Sequence, residues 1–306
     1  MSKPRRERLD VHGWLIVDKP AGMTSTQAVS QAKFLFKAKK AGHAGTLDPL
    51  ASGLLPIAFG EATKTVPYVM DGEKAYRFTV RWGIETNTDD AEGVAVATSD
   101  ARPDRASIET ILPDFIGSIT QMPPAFSALK INGERAYDLA RSGETVELAA
   151  RTVEIKALRL VETQPDTAVF EAECGKGTYV RSLARDFGRR LGCYGHIAAL
   201  RRSRVGPFSE AQAVRLDYIR TSLGESAAAS PASLLPVQAG MRELTEIQVT
   251  KNDASRLARG QAIILRGRDA PILGGAVYAT SSGIVVAVGS MEQGMFVPGR
   301  VFNLGA

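Results

Sequence analysis

Residues 74–83, KAYRFTVRWG, alternate in character without a break. Tyr76, Phe78, Val80 and Trp82 take every second place, and Ala75, Arg77, Thr79 and Arg81 fill the places between. Successive side chains of a strand point to opposite faces, so this period of two predicts a strand with one face in a core. Around it, strand and helix signals mix in no regular order. GWLIVDKPAG (13–22) reads as a short buried strand stopped by Lys-Pro-Ala-Gly. TSTQAVSQAKFLFKAKK (24–40) reads as a helix capped by Thr24 or Ser25, with Ala28, Ala32, Leu35 and Phe36 on one face. GLLPIAF is an apolar run, EATKTVPYVMDG a short helix, TNTDDAEG an acidic turn and RASIETILPDFIG an amphipathic helix. MPPAFSALKINGERAYDLARSG (122–143) reads as a loop running into another helix. VEIKALRLVE and AVFEAECGKG pair as a hairpin across TQPD. A helix starts at Thr178 with Arg181, Arg185 and Arg189 on one face, and AALRRSRVGPF returns as a strand. Strands and helices without βαβ alternation predict an α+β fold with a mixed, mostly antiparallel sheet and flanking helices.

Residues 221–236, TSLGESAAASPASLLP, have the Ala, Ser and Pro content of a linker. Beyond them GQAIIL, AVYAT, GIVVAVG and RVFNL are short strands between glycine turns. The expected division is a main domain over 1–220, the linker, and a small β-rich module over 237–306. No apolar run approaches the length needed to cross a bilayer. The basic N-terminus carries too short an apolar stretch for a signal peptide, so the cytoplasm is the expected compartment. Two cysteines, Cys174 and Cys193, cannot make a disulfide framework. The histidines are His12, His43 and His196, and only Cys193 and His196 stand at a ligand-like spacing, so no metal site is expected.

The net charge is only +5, but it is unevenly placed. Residues 176–206 hold eight basic side chains (Lys176, Arg181, Arg185, Arg189, Arg190, Arg201, Arg202, Arg204) against one acid, Asp186, a local net of +7. Lys33, Lys37, Lys39 and Lys40 form a second, acid-free cluster. Concentrated positive charge suits a polyanion such as nucleic acid, because neutralising phosphates releases condensed counterions. The bland reading is a pair of faces balanced by acids folded nearby.

One loop stands apart. AGHAGTLDPLASG (41–53) is made of small residues and turn formers around a single acid, Asp48, followed at once by Pro49. It reads either as a surface turn or as a carboxylate on a rigid loop that a large ligand can approach. A phosphate loop, a dinucleotide fingerprint and a nucleophile elbow are all missing.

A loop Asp, a Tyr-headed strand, an Arg-faced helix and a basic window together resemble the pseudouridine synthases. GWLIVDKPAGMTS, KKAGHAGTLDPLASGLLPIAFGEATK, KAYRFTVRWGIETNTDD, SALKINGERAYDLAR and GKGTYVRSLARDFGRRLG look like the successive signature blocks of the tRNA pseudouridine-55 synthase B family, in the family's order. The resemblance covers about residues 13–208 and is weaker beyond the linker, where the family often carries an RNA-contacting domain of the PUA type. It implies the pseudouridine synthase fold and isomerisation of uridine 55 in the T loop of tRNA: the target base is flipped out, the C1′–N1 bond breaks, the uracil turns and C5 bonds to C1′. No cofactor is consumed. It also implies roles. Asp48 is the catalytic carboxylate, by attack on C1′ or through a glycal; Tyr76 stacks on the uracil; Arg181 pairs with Asp48. Tyr179 and Leu200 line the base pocket, His43 packs against the T loop, and Lys19 and Lys64 are basic positions near the substrate. The expected partner is the tRNA T stem-loop, met by a monomer with no obligate protein partner. The alternatives are a synthase acting on another RNA, guide-RNA-dependent enzymes included, and a non-catalytic RNA-binding or RNA-folding protein.

Overall fold

The alternating segment lies at the middle of a nine-stranded sheet. Its strands are β1 (Gly13–Lys19), β2 (Ala41–His43), β3 (Ser52–Phe59), β4 (Lys74–Trp82), β5 (Gly117–Gln121), β6 (Arg151–Gln164), β7 (Thr167–Cys174), β8 (Gly195–Val205) and β9 (Phe208–Ser209). They run in the order β1-β3-β8-β4-β7-β6-β5, with β2 on β3 and β9 on β8. This computed structural model describes residues 8–127, 130–131, 134–135, 148–223, 229–230, 233–265 and 275–304. The helix expected at the end of residues 122–143 falls on 136–143, outside the described residues.

Strand β4 pairs on both sides, Phe78 facing Phe170 of β7 and Leu200 of β8. Its even-numbered face is the core face: Phe78, Val80 and Trp82 are buried, and the Phe78 and Phe170 rings stack with centroids 5.4 Å apart. The helices are α1 (Ser25–Leu35), α2 (Val66–Asp71), α3 (Arg105–Ile111), α4 (Val180–Arg190), α5 (Leu216–Leu223) and α6 (Lys251–Ala258). Thr24 and Gln27 form a capping box at the start of α1, and the predicted stripe of Ala28, Ala32, Leu35 and Phe36 is buried. Phe187 of α4 closes over Phe170 at 5.2 Å between ring centroids.

All of these pairings are antiparallel but one. At the exception β3 and β8 run parallel, Ser52 beside Arg201 and Gly53 beside Arg202. Gly53 has φ +99°, and a Cβ there would stand 2.2 Å from the Arg202 carbonyl oxygen. A side chain would therefore prise the junction apart. The loop that carries Asp48 ends at this junction.

A second, five-stranded sheet holds β10 (Thr245–Gln248), β11 (Ile263–Ile264), β12 (Ala276–Ser281), β13 (Ile284–Glu292) and β14 (Met295–Val301), in the order β10-β12-β13-β14-β11. Leu257 of α6 packs into its core with Val277, Ala287 and Phe296. Strand β10 and helix α6 are additions to the sequence reading. The Ala/Ser/Pro-rich stretch is tied to the main sheet at its end, since Leu235 and Trp14 exchange two backbone hydrogen bonds of 2.8 Å. Trp14 then shares a core with Val237, Met241, Tyr278, Val288 and Phe302, so one tryptophan joins the two sheets. Among the described residues no helix is long and apolar enough to cross a membrane.

Candidate active site

Every residue of the segment 45–49 has its backbone tied down. Buried Arg202 donates from Nη2 to the Gly45 carbonyl (3.1 Å) and from Nη1 to that of Thr46 (3.2 Å). The Ser25 hydroxyl, buried at the start of α1, donates to the Leu47 carbonyl and accepts from the Leu47 N–H, both at 2.9 Å. Ala51 N–H donates to the Asp48 carbonyl at 3.1 Å, and Gly22 N–H to that of Pro49 at 2.7 Å. A loop whose five successive carbonyls are partnered can hold one side chain in a fixed place. That side chain is Asp48, 36 % exposed while the groups around it are mostly covered.

Arg181 meets it. Nε of this buried guanidinium lies 2.9 Å from Asp48 Oδ2. The other nitrogens donate to the carbonyls of Thr88 (3.0 Å) and Phe126 (2.9 Å). The rotamer is thus fixed from behind, and the ion pair sets the direction of the carboxylate. Asp90 stands 3.7 Å from Arg181 Nη1, and the adjacent Asp89 is 2.9 Å from Arg185 Nη1. The segment TNTDDAEG therefore does more than turn the chain: it supplies counter-ions to the Arg face of α4. Asp89 holds φ +60° and is buried, and burial pushes its carboxyl up to about 6 against the pull of Arg185 and Arg181.

Four other expected residues stand on β2, β4 and β8 and at the start of α4. Tyr76 sits at the open end of the core face of β4, its phenol held above the usual range chiefly by burial, with Arg202 pulling the other way. Tyr179 caps α4, where the Gln121 side chain grips its backbone by two bonds, of 2.8 Å to the N–H and 3.1 Å to the carbonyl. Leu200 is buried on β8, and its carbonyl accepts from Ser52 Oγ at 3.5 Å. His43 ends β2 with a buried Nδ1 that has no hydrogen-bond partner among the described residues, and burial lowers its pKa, keeping the ring neutral near pH 7. The charge of Asp48 acts to raise the pKa of Lys19, Tyr76 and Tyr179.

The two expected lysines are held by the protein's own groups. Lys19 is fully buried and donates to the carbonyls of Met23 (2.7 Å), Pro20 (2.9 Å) and Pro49 (3.4 Å). Burial lowers its pKa to about 8, with Asp48 opposing. It braces the Asp48 loop from within. Lys64 pairs with Glu61 at 2.6 Å, donates to the Val301 carbonyl at 2.8 Å, and lies 5.9 Å from the Phe302 ring centroid, where the two sheets meet.

The basic window is not a free cationic face, which corrects the reasoning from charge alone. Asp71 takes Lys176, Glu85 takes Arg189, Asp114 takes Arg190, Asp18 and Glu210 take Arg201, and Glu73 and Glu173 take Arg204. Arg181 and Arg185 hold the aspartates already named, and Arg202 is bonded to carbonyls. Lys37 and Lys40 of the other cluster are exposed and have no ion pair among the described residues. Sequence reasoning also passed over Ser25, Gln121 and Arg202 as site residues. Each works through backbone groups, which leave no mark in a pattern of side chains.

Comparison with known proteins gives the family. Residues 33–180 match the N-terminal domain of the TruB family of pseudouridylate synthases, and residues 181–242 match the tRNA pseudouridylate synthase B C-terminal domain. The structure resembles the solved complex described as an H/ACA RNP bound to a substrate RNA containing 2′-deoxyuridine, with TM-score 0.72 at 22% identity, over 98% of this chain and 92% of that one. That likeness establishes the pseudouridine synthase fold. Curated relatives are closer in sequence. The tRNA pseudouridine synthase B of Rhodopseudomonas palustris is 60% identical over 99% of this chain and 84% of its own. The enzyme of that name from Rhizobium meliloti is 57% identical over 99% of both chains. The chain belongs to the TruB family of pseudouridylate synthases.

Proposed function

We propose that the protein converts uridine 55 in the T loop of tRNA to pseudouridine, with Asp48 as the catalytic carboxylate. The observation that carries the mechanism is the Asp48–Arg181 pair at 2.9 Å on a loop braced at each residue from 45 to 49. The names of the close relatives support tRNA as substrate. The reacting carbon resembles the centre of a glycosidase, where a carboxylate attacks or stabilises an oxocarbenium-like state. Here one carboxylate is enough, because the uracil that leaves as an anion is kept and re-added. The C1′–N1 bond breaks, the base turns, C5 bonds to C1′, and the C5 proton is lost while N1 gains one. The same carboxylate serves direct attack on C1′ and the glycal route.

Tyr76 lies under the flipped base, Tyr179 and Leu200 line its pocket, and neutral His43 packs against the T loop. Lys19 acts from inside the protein by holding the Pro49 carbonyl, and Lys64 is a basic position near the substrate. Residues 237–306 form a second RNA-contacting module, and the protein works as a cytoplasmic monomer without an obligate protein partner. Flipping costs a few kcal/mol of unstacking, offset by stacking in the pocket and phosphate contacts.

The test is tritium release from a tRNA transcript labelled at uridine C5, with the native protein and Asp48→Asn. Release by the native protein alone, with tRNA affinity retained by the variant, is expected. Release by both would remove Asp48 from the mechanism. Release by neither, with tight binding by both, would remove the activity on this substrate.

A further inference from the structure

The site holds a second buried guanidinium with an assignment to make. Arg202 is 2 % exposed and has no carboxylate partner among the described residues. A buried cation facing only carbonyls is costly unless those bonds are well made. Its three contacts are the carbonyls of Leu54 (2.9 Å from Nε), Thr46 (3.2 Å from Nη1) and Gly45 (3.1 Å from Nη2). Two of these precede Asp48 and one follows it, so a single rigid plane joins both limbs of the loop. The backbone of Arg202 is placed as tellingly. It is the register partner of Gly53 on one side, across the parallel junction, and of Tyr76 on the other, across the antiparallel one. Directly opposed residues of neighbouring strands share a face, so its side chain lies beside Tyr76, and its positive charge acts on the phenol.

We propose that Arg202 is a positioning residue for the reaction, fixing the Asp48 loop and the Tyr76 phenol in one frame without touching the substrate. The proposal rests on the reading of Asp48 as the catalytic carboxylate. Its chemistry demands arginine. The planar guanidinium presents fixed donors in three directions, whereas a lysine ammonium is a point charge on a flexible stem. Lysine keeps the charge and loses the geometry, so Arg202→Lys separates the two.

The experiment is single-turnover conversion of the labelled tRNA by the native protein, Arg202→Lys and Arg202→Met, beside the filter-binding affinity and melting temperature of each. Arg204→Lys, on the same strand but paired with Glu73 and Glu173, is the control. Displacing a reacting group by about 1 Å can cost on the order of 100-fold in rate. We expect Arg202→Lys to stay folded, to bind tRNA within about twofold of native, and to convert it about 100-fold more slowly. Arg204→Lys should keep the native rate. A native rate for Arg202→Lys, or a loss confined to affinity, would overturn the proposal. So would failure of both Arg202 variants to fold, since the guanidinium would then hold the fold and not the reaction. A native protein that binds tRNA and releases no tritium would be a failure of the functional reading, and the proposal would go with it.

Discussion

Ser25→Ala removes one oxygen and almost no volume, so its effect isolates what two hydrogen bonds do for the catalytic loop. Ser25 is 4 % exposed and Leu47 is likewise buried. The hydroxyl serves both backbone groups of Leu47 at 2.9 Å, and no other bond to either is present among the described residues. Alanine leaves a buried N–H and a buried carbonyl without partners. Each such orphan costs about 1–3 kcal/mol, so the expected loss for the two is about 2–6 kcal/mol in unfolding free energy. At roughly 1.5 °C per kcal/mol for a chain of this size, the melting temperature should fall by about 3–9 °C. The loop can recover part of the loss by letting the 47–48 peptide turn toward water, and that movement swings Asp48 off Arg181. Single-turnover tritium release at 25 °C, where the variant stays folded, should therefore drop by about 10- to 100-fold with tRNA affinity unchanged. Melting within about 1 °C of native together with a native rate would refute the claim that this hydroxyl holds the loop.

Three further outcomes follow from the same structure. Gly53→Ala should cost at least about 3 kcal/mol, because its Cβ meets Arg202 backbone at a φ that L-residues avoid. Gly22→Ala, with φ +82° but open space, should cost only about 1 kcal/mol, and equal denaturant midpoints for the two would sink the close-approach argument. For Lys19, whose pKa is lowered from 10.5 to about 8, the unfolded chain binds more protons across that window than the fold does. The stability of native protein relative to Lys19→Met should thus rise by about 3 kcal/mol as pH goes from 8 to 10.5; a flat difference curve in urea titrations refutes the burial. For charge, Lys37→Gln with Lys40→Gln should lower the salt slope of tRNA binding by about 1 for each phosphate left unneutralised, whereas Arg190→Gln should leave it unchanged. The reverse pattern would restore the basic window as the RNA face.

The elements with periodic burial were legible in the sequence. The alternation from Tyr76 to Trp82, the Ala28–Ala32–Leu35 stripe and the hairpin around residues 163–166 each bury what their spacing says they bury. Asp48 stands out as one acid among glycines and small residues, but its loop alone reads as a surface turn, and the catalytic reading comes from the signature blocks around it. What was not legible is long in range. The guanidinium of Arg185 finds Asp89 across 96 residues, and that of Arg189 finds Glu85 across 104. No window along the chain contains both members of such a pair, so charge counted locally overstates the field the folded surface presents.

That mismatch explains how a window with a local net of +7 serves an enzyme with so few free cations in it. The reaction as proposed asks for one acid, held still, with its base stacked beside it. Holding an exposed carboxylate still takes buried cations: Arg181 on its side chain, Arg202 and Lys19 on the carbonyls of its loop. Buried cations in turn need acids or carbonyls of their own, which is the place of Asp89 and Asp90 opposite α4. Two arginines of the window, Arg181 and Arg202, hold the acid and its loop, and most of the others are paired with acids elsewhere in the fold. A basic run in a sequence therefore points to RNA only when its cations can be shown to lack partners. In this chain the surer pointer was the ordered run of signature blocks around Asp48.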